Sequence, residues 1–457
     1  MLTQATENNA AGRKTGHKDE LILELTNYNT HQKFGGIILT QTTTQPPSYE
    51  GWKRKIAFFL TGQTVSLFGS SLVQFAIIWH ITLSTQSGVM MTISSICGFL
   101  PQIAVSLFAG VWADRYNRKK LIIYSDAMTA TSTLLLAILF LSGYDGLWTI
   151  FVVSAIRSFG AGIQTPAVNA VIPQLAPPEK LMRVNGINGS LQSMIMLLSP
   201  AASGALMSVL PLGPVFFVDV ITAAIAITIM IFLKIPLHHK ALEKIKGGYF
   251  TDLKQGLSYV RHSGFIKELL VAFALFSFFA VPASMLTPLQ VSRTFGNEVW
   301  RLSAIEMLFS GGAVLGGILI SVWGGFRNRT NTVFLGCIGL GSCTVLLGLI
   351  GNFPLYLVVM AVTGVFVPLM NTAIMVILQE KVHGDMQGRI FSLIQIVGSC
   401  TIPLGMVLFG PLADTLSVEI LLWSTGAVLL VLSICLLFSK QLRQAGEPVA
   451  QPDNKDK

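Results

Sequence analysis

The chain is short of charge. Only 12% of its 457 residues are Asp, Glu, Lys or Arg, about half the share usual in a soluble globular domain, and too few to cover a water-facing surface. No G-x-x-x-x-G-K-[ST] element occurs, so the sequence has no loop of the kind that cradles the phosphates of ATP. Five cysteines, Cys97, Cys337, Cys343, Cys400 and Cys435, all lie in apolar runs and match no metal-ligand spacing; they read as small packing residues. No stretch gathers a nucleophile, a base and metal ligands, which argues against a membrane enzyme. The expectation is no cofactor, no metal and not an enzyme. A sensor or scaffold would need a folded output domain, yet the longest polar stretch, residues 1–50, is rich in Thr, Asn and Gln and reads as a disordered tail.

What the chain has instead is apolar sequence, 52% of its residues. Twelve runs, 56–83, 89–112, 121–142, 147–170, 184–209, 214–234, 265–292, 302–325, 332–350, 354–377, 389–414 and 418–438, are each long enough to span a ~30 Å hydrocarbon core, which takes about 20 helical residues. The fold class is all-α integral membrane, twelve transmembrane helices in two six-helix bundles. Of the 31 Lys and Arg residues, all but Arg157, Arg293 and Arg301 fall in the tails and alternate loops or at the adjoining helix ends. That is the positive-inside pattern of a multi-pass protein in the cell membrane with both termini cytoplasmic, and it accounts for the net charge of +9 without a nucleic-acid partner.

The expected organisation is a polar tail over 1–50, a first bundle over 51–236, a cytoplasmic linker over 237–264, a second bundle over 265–440 and a tail over 441–457. Trp52-Lys53-Arg54-Lys55 forms an interfacial anchor at the start of the first bundle. Within the linker Phe250, Leu253, Leu257 and Val260 recur at helical spacing, which predicts an amphipathic helix along the membrane surface. The halves echo each other: Pro166-Ala-Val-Asn169 near the end of span four has a counterpart in Pro368-Leu-Met-Asn371 near the end of span ten, as expected of internal transporter repeats. Two complete bundles in one chain predict function as a monomer.

The loop Gly110-Val-Trp-Ala-Asp114-Arg115-Tyr-Asn117-Arg118-Lys119-Lys120 matches G-x-x-x-D-R-x-x-R-[KR], the signature between helices two and three of the major facilitator superfamily. With Arg157-Ser-Phe-Gly160-Ala-Gly162 in span four, Phe99-Leu-Pro101 and Thr165-Pro-Ala-Val-Asn169, the chain resembles that family's drug-efflux branch, closest to the bacterial macrolide exporters. Span five, Ser199-Pro200-Ala-Ala-Ser-Gly204, keeps part of the antiporter pattern, and the loop Gly325-Phe-Arg327-Asn-Arg329 lacks the signature Asp. The resemblance implies the major facilitator fold and proton-coupled efflux of amphiphilic antibiotics, macrolides first, by alternating access. Export of another bulky amphiphile, a tetracycline, siderophore or lysophospholipid, stands as the alternative. It also implies a latch in which Gly110, Asp114, Arg115, Arg118 and Lys119 meet the start of helix eleven near Gly388, Asp114 being favoured there by the helix macrodipole. Arg115, Arg118 and Lys119 would pair locally or with lipid phosphates.

Arg157 lies near the bilayer centre, roughly 15 Å into span four at ~1.5 Å per residue. An arginine there costs at least ~2.5 kcal/mol unless it has a partner or a wet cavity. Asp219, Asp126 and Glu306 are the candidates for that partner and for the proton carrier, since a site alternating between surroundings can take up and release a proton. Span one carries Gln63 and Gln74 in place of an acid. The substrate is expected near the midplane between the bundles, against Phe58, Phe68, Phe75, Met194, Met196, Phe276 and Phe279, whose sulfur and ring surfaces suit a bulky apolar ligand. One proton crossing ~100 mV yields about 2.3 kcal/mol, enough for a gradient of about 40-fold.

Overall fold

The computed structural model describes residues 51–235 and 249–447. The expected tail over 1–50, the linker residues 236–248 and the end of the second tail, 448–457, lie outside them. The spans form helices α1 (Trp52–Thr85), α2 (Gly88–Arg115), α3 (Arg118–Leu141), α4 (Leu147–Leu175), α5 (Leu181–Val209) and α6 (Leu212–Phe232). The linker helix α7 (Tyr249–His262) follows. Span seven is α8 (Gly264–Phe279) with α9 (Thr287–Thr294), and the remaining helices are α10 (Val299–Trp323), α11 (Arg329–Leu349), α12 (Phe353–Lys381), α13 (Gly384–Thr415), α14 (Val418–Phe438) and the short α15 (Lys440–Ala445).

Most helices run past the apolar runs that mark them. A backbone in hydrocarbon must satisfy its own hydrogen bonds, so the ladder continues into the flanking polar residues until a cap ends it. Asn117, Asn352 and Ser417 cap α3, α12 and α14, accepting from Lys120, Leu355 and Ile420 N–H at 3.3, 3.2 and 3.4 Å; each supplies one orphan donor of a helix start. Between α1 and α2 the chain reverses at Gln86, which takes the left-handed φ of 47° while its N–H closes on Thr82 O at 2.9 Å.

Span seven departs from the expected single helix. Between α8 and α9 the segment Pro282–Leu286 winds as a π-helix, because Pro282 and Pro288 bring no N–H to the ladder and the chain loosens around them.

Two sets of six helices result. In the first, α1 packs on α5 and α6, α2 on α4, and α3 on α4 and α6; in the second, α10 packs on α12, and α11 on α12 and α14. Close helix approach rests on small residues. A Cβ on Gly312 would lie 1.9 Å from Ala361 O and one on Gly364 2.0 Å from Phe309 O, so α10 and α12 touch backbone to backbone. The two sets meet where α2 packs on α13 and α5 on α10. The linker helix α7 lies on α13, Gly256 against Leu393 and Arg389. Its Val260 is buried in the second bundle's core while Leu257 is exposed; the side chains of Phe250 and Leu253 lie outside those described.

Candidate functional site

Polar side chains buried in the first bundle form one connected group. Gln63, Ser66, Ser70 and Gln74 recur along α1 at spacings of three or four residues, which puts them on one helix face. That face looks at α3 and α4. Arg157 of α4 is 6% exposed and forms an ion pair with Asp219 of α6, which is 0% exposed. Thr133 of α3 donates to Asp219 Oδ2 at 2.8 Å, Ser70 Oγ donates to Oδ1 at 2.7 Å, and Arg157 also donates to Thr133 Oγ1 and, at 3.1 Å, to Ser70 O. Both oxygens of Asp219 are therefore satisfied, and the arginine expected to need a partner has one.

Asp126 of α3 is in a different state. It is 4% exposed, and Oδ1 accepts from Gln164 Nε2 at 2.6 Å and Ser66 Oγ at 3.3 Å, while Oδ2 meets no hydrogen-bond donor. Gln63 Nε2 is likewise buried without an acceptor, although Gln63 Oε1 lies 3.5 Å from Gln164 Nε2. Asp126 is bonded to neutral groups alone. Glu306, on α10, is half-buried, makes no hydrogen bond or ion pair among the described residues, and lines neither of the cavities described next.

Two cavities adjoin this group. One of about 370 Å³ is walled by Ser70, Gln74, Gln102, Asp126, Arg157 and Gln164, with Leu67, Phe75, Ile78 and Met285 as apolar lining. A second, of about 310 Å³, shares Leu67, Ser71, Phe75 and Gln164 with the first and runs past Asn169, Gln192 and Met196. Shared walls make one continuous space. Almost all of its hydrogen-bonding groups belong to the first bundle.

The expected substrate residues divide. Phe75 lines both cavities and Met196 one. Phe58 points away, 48% exposed, with the Arg54 guanidinium 5.5 Å from its ring centroid. Phe68 packs on the first bundle's core and Met194 is exposed without lining either cavity. Phe276 is buried in the second bundle's core beside Cys337 and Met370, and Phe279 packs with Phe278 and Phe409. Ring and sulfur content alone does not separate cavity wall from core, because both environments reward apolar area.

The basic loop between α2 and α3 binds its own bundle. Arg118 donates to Ala113 O at 2.8 Å and Ala170 O at 2.7 Å, and Lys119 Nζ donates to Ile231 O and Leu233 O at 2.8 and 2.9 Å, closing the C-terminal ends of α4 and α6. Arg115 is exposed at the end of α2; the side chain of Asp114 lies outside what is described. Gly110 and the expected partner region at Gly388 each have open space where a Cβ would stand, as do Gly186, Gly189 and Gly384. None of these glycines serves as a close-packing point between helices.

At the opposite face the bundles are joined. Arg293 of α9 donates to Gln86 O at 3.1 Å, to Ala413 O at 2.5 Å and to Asp414 Oδ1 at 2.9 Å. Asp414 at the end of α13 accepts from Ser87 Oγ at 2.8 Å and from the N–H groups of Gly88 and Val89 at 2.7 and 3.0 Å. Asn297 Nδ2 donates to Leu83 O at 3.2 Å, and Trp79 and Met91 of the first bundle share a core with Leu286, Tyr356 and Met406 of the second. The central space is thus sealed at the end away from the basic loops. Sequence reasoning missed this seal and the serines of α1; the α1 face was visible as the Gln63, Ser66, Ser70, Gln74 spacing.

The described residues contain no group of three or more His, Cys, Asp or Glu side chains able to hold a metal ion. Comparison with known proteins agrees with the architecture. Macrolide efflux protein A of Streptococcus pyogenes is 29% identical over 398 residues, covering 87% of this chain and 98% of that protein. Macrolide efflux protein A of Enterococcus faecalis is 30% identical over 314 residues, 68% of this chain and 97% of that protein. The crystal structure of the nucleoside transporter NupG superposes with a TM-score of 0.65 at 13% identity, covering 85% of this chain and all of that one, a likeness of fold. The family profile matches residues 56–406 and 293–455, and with twelve helices among the described residues long and apolar enough to cross a membrane, the chain belongs to the Major Facilitator Superfamily.

Proposed function

We propose that the chain exports amphiphilic antibiotics, macrolides first among them, in exchange for protons, by alternating access with its basic loops in the cytoplasm. The observation that carries the reading is Asp126, a carboxylate in the wall of the central cavity with one oxygen unbonded and only neutral partners on the other. Gaining or losing a proton there breaks no ion pair. Asp219 differs: a proton on it would strand Arg157, an arginine that cannot itself lose one. Asp126 is therefore assigned as the carrier, and the Arg157–Asp219 pair as the fixed element that holds α3, α4 and α6 in register around it. Glu306 is given no part, since it faces neither cavity.

The cavity suits a ligand with one hydroxylated and one apolar face. Its serine and amide groups lie on α1, α2, α4 and α5, and Leu67, Phe75, Ile78 and Met285 supply adaptable apolar surface. The two macrolide efflux relatives favour macrolides within that class. In the cycle, substrate enters from the cytoplasm while the far end is sealed, and the bundles then rock about the α2–α13 and α5–α10 contacts. Asp126 takes up a proton from the outer side as substrate is released there, and the transporter then resets, with Asp126 giving that proton to the cytoplasm.

The test is accumulation of labelled erythromycin in a pump-deficient bacterium expressing the chain, with and without a protonophore. Low accumulation that rises on uncoupling is expected, with Asp126→Asn behaving as the uncoupled wild type and Glu306→Gln as the coupled one. Accumulation equal to an empty vector in both conditions, with the protein present in the membrane, would refute the macrolide reading. Protonophore-sensitive efflux at full rate in Asp126→Asn would remove the carrier assignment.

A further inference from the structure

The seal around Asp414 repeats, at the other end of the molecule, a pattern already present in the basic loop. Gly410-Pro-Leu-Ala-Asp414 closes α13 as Gly110-Val-Trp-Ala-Asp114 closes α2, and the two helices pack on each other. Because they run in opposite senses across the bundle interface, the two Gly-x-x-Ala-Asp endings lie at opposite faces. In this structure the Gly410 ending is engaged. A Cβ on Gly410 would stand 1.8 Å from Thr92 Oγ1, one on Gly88 2.0 Å from Gly410 O, and Thr92 Oγ1 donates to Met406 O at 2.9 Å. That contact sets Asp414 directly over the first turn of α2, where it accepts from Gly88 and Val89 N–H. The Gly110 ending, by contrast, has nothing within 4 Å of where its Cβ would be.

We propose that Asp414 is the latch of the inward-open state: it caps the N-terminus of α2 across the bundle interface, and Arg293 locks it by bridging Asp414, Ala413 and Gln86. The reading rests on the sidedness proposed above, with the basic face cytoplasmic. A carboxylate at a helix N-terminus satisfies orphan N–H groups and is favoured by the macrodipole. Here cap and helix belong to different rigid bodies, so the stabilisation exists only while the outer end is shut. Separating the bundles at that face withdraws Asp414 from three donors at once. Gly410 works as the spacer, since any side chain there would hold α13 off Thr92 and Gly88 and carry Asp414 out of reach.

The experiment is a distance measurement between spin labels at Tyr144→Cys and Gly351→Cys, in the α3–α4 and α11–α12 loops of the latched face, on a background freed of native cysteines. The protein is in lipid nanodiscs without drug or gradient. The wild type is expected to give mainly the short distance. Asp414→Ala should raise the ratio of long to short populations about 10-fold, equal to ~1.4 kcal/mol, with Asp414→Asn between the two. Gly88→Ala, which disturbs the same contact without touching charge, should shift it in the same direction. Glu298→Gln, which breaks an ion pair with Arg301 inside one bundle, should leave the distribution unchanged. An unchanged distribution in folded Asp414→Ala and Gly88→Ala would overturn the latch. An absence of erythromycin efflux by the wild type would refute the transport reading while leaving the distance result standing, so the two fail separately.

Discussion

Exchanging Arg157 for Met should destabilise the protein by about 4 kcal/mol, the cost of stranding its buried partner. Asp219 is 0% exposed, with Ser70, Thr133 and Arg157 as its donors. Removing one member of a buried ion pair and leaving the other charged costs about 3–5 kcal/mol. The reverse change, Asp219→Asn, should cost less, because Arg157 lines the central cavity and keeps Ser70 O as an acceptor. Replacing both leaves no charge behind, and the double variant Arg157→Met with Asp219→Asn should be more stable than Arg157→Met alone. Equilibrium unfolding of the purified protein, followed by circular dichroism, gives the four corners of the cycle, with an expected coupling energy of about 3 kcal/mol. Additivity within ~0.5 kcal/mol, the behaviour of independent sites, would refute the argument that the pair carries a net buried-charge penalty.

Three further outcomes follow from the packing. Gly312→Ala places a Cβ 1.9 Å from Ala361 O whereas Gly317→Ala, on the same helix, meets nothing within 4 Å; the first should cost about 1–3 kcal/mol through overpacking and the second should leave the melting temperature unchanged, as read by thermal unfolding. Tyr356→Phe removes the donor to Gln290 Oε1, at 2.8 Å in a fully buried site, and should cost about 1–3 kcal/mol, while adding Gln290→Leu should recover part of it. Lys119→Met strips the acceptors Ile231 O and Leu233 O of their cation and should lower stability by about 1–2 kcal/mol, most visibly as faster hydrogen exchange in the last turn of α6.

The twelve spans were legible because a bilayer leaves the chain little choice: about twenty apolar residues between polar breaks can satisfy their backbone in hydrocarbon only as a helix. The break in span seven was written in Pro282 and Pro288, two missing donors within one apolar run. Arg157 was legible as well, since a cation at that depth needs a partner, but the choice among Asp126, Asp219 and Glu306 was not. All three are single acids in apolar helices, and what separates them is which neighbour each helix turns toward. Only packing supplies that. The aromatic and methionine candidates divided for a related reason, because Phe276 in the core and Phe75 at the cavity have the same chemistry and differ only in what lies opposite.

Asp414 marks where reading one loop at a time stops working. In sequence it is an acid at the end of a helix, next to a short polar turn, and any membrane-protein loop contains such residues. Its role depends on Gly88 and Val89, more than three hundred residues earlier, coming within 2.7 and 3.0 Å of it. The Gly-x-x-Ala-Asp pattern shared with the basic loop was the available signal, and it acquires meaning only once α2 and α13 are known to pack in opposite senses, so that like endings fall at unlike faces. A protein that opens alternately at two faces needs a contact at each that the other state lacks, and a short motif used at both ends of one helix pair supplies both contacts with the same chemistry. On that argument, exchanging Asp114 for Ala should move the label distances opposite to Asp414→Ala, toward the short population, and a shift in the same direction would break the symmetry on which the pairing depends.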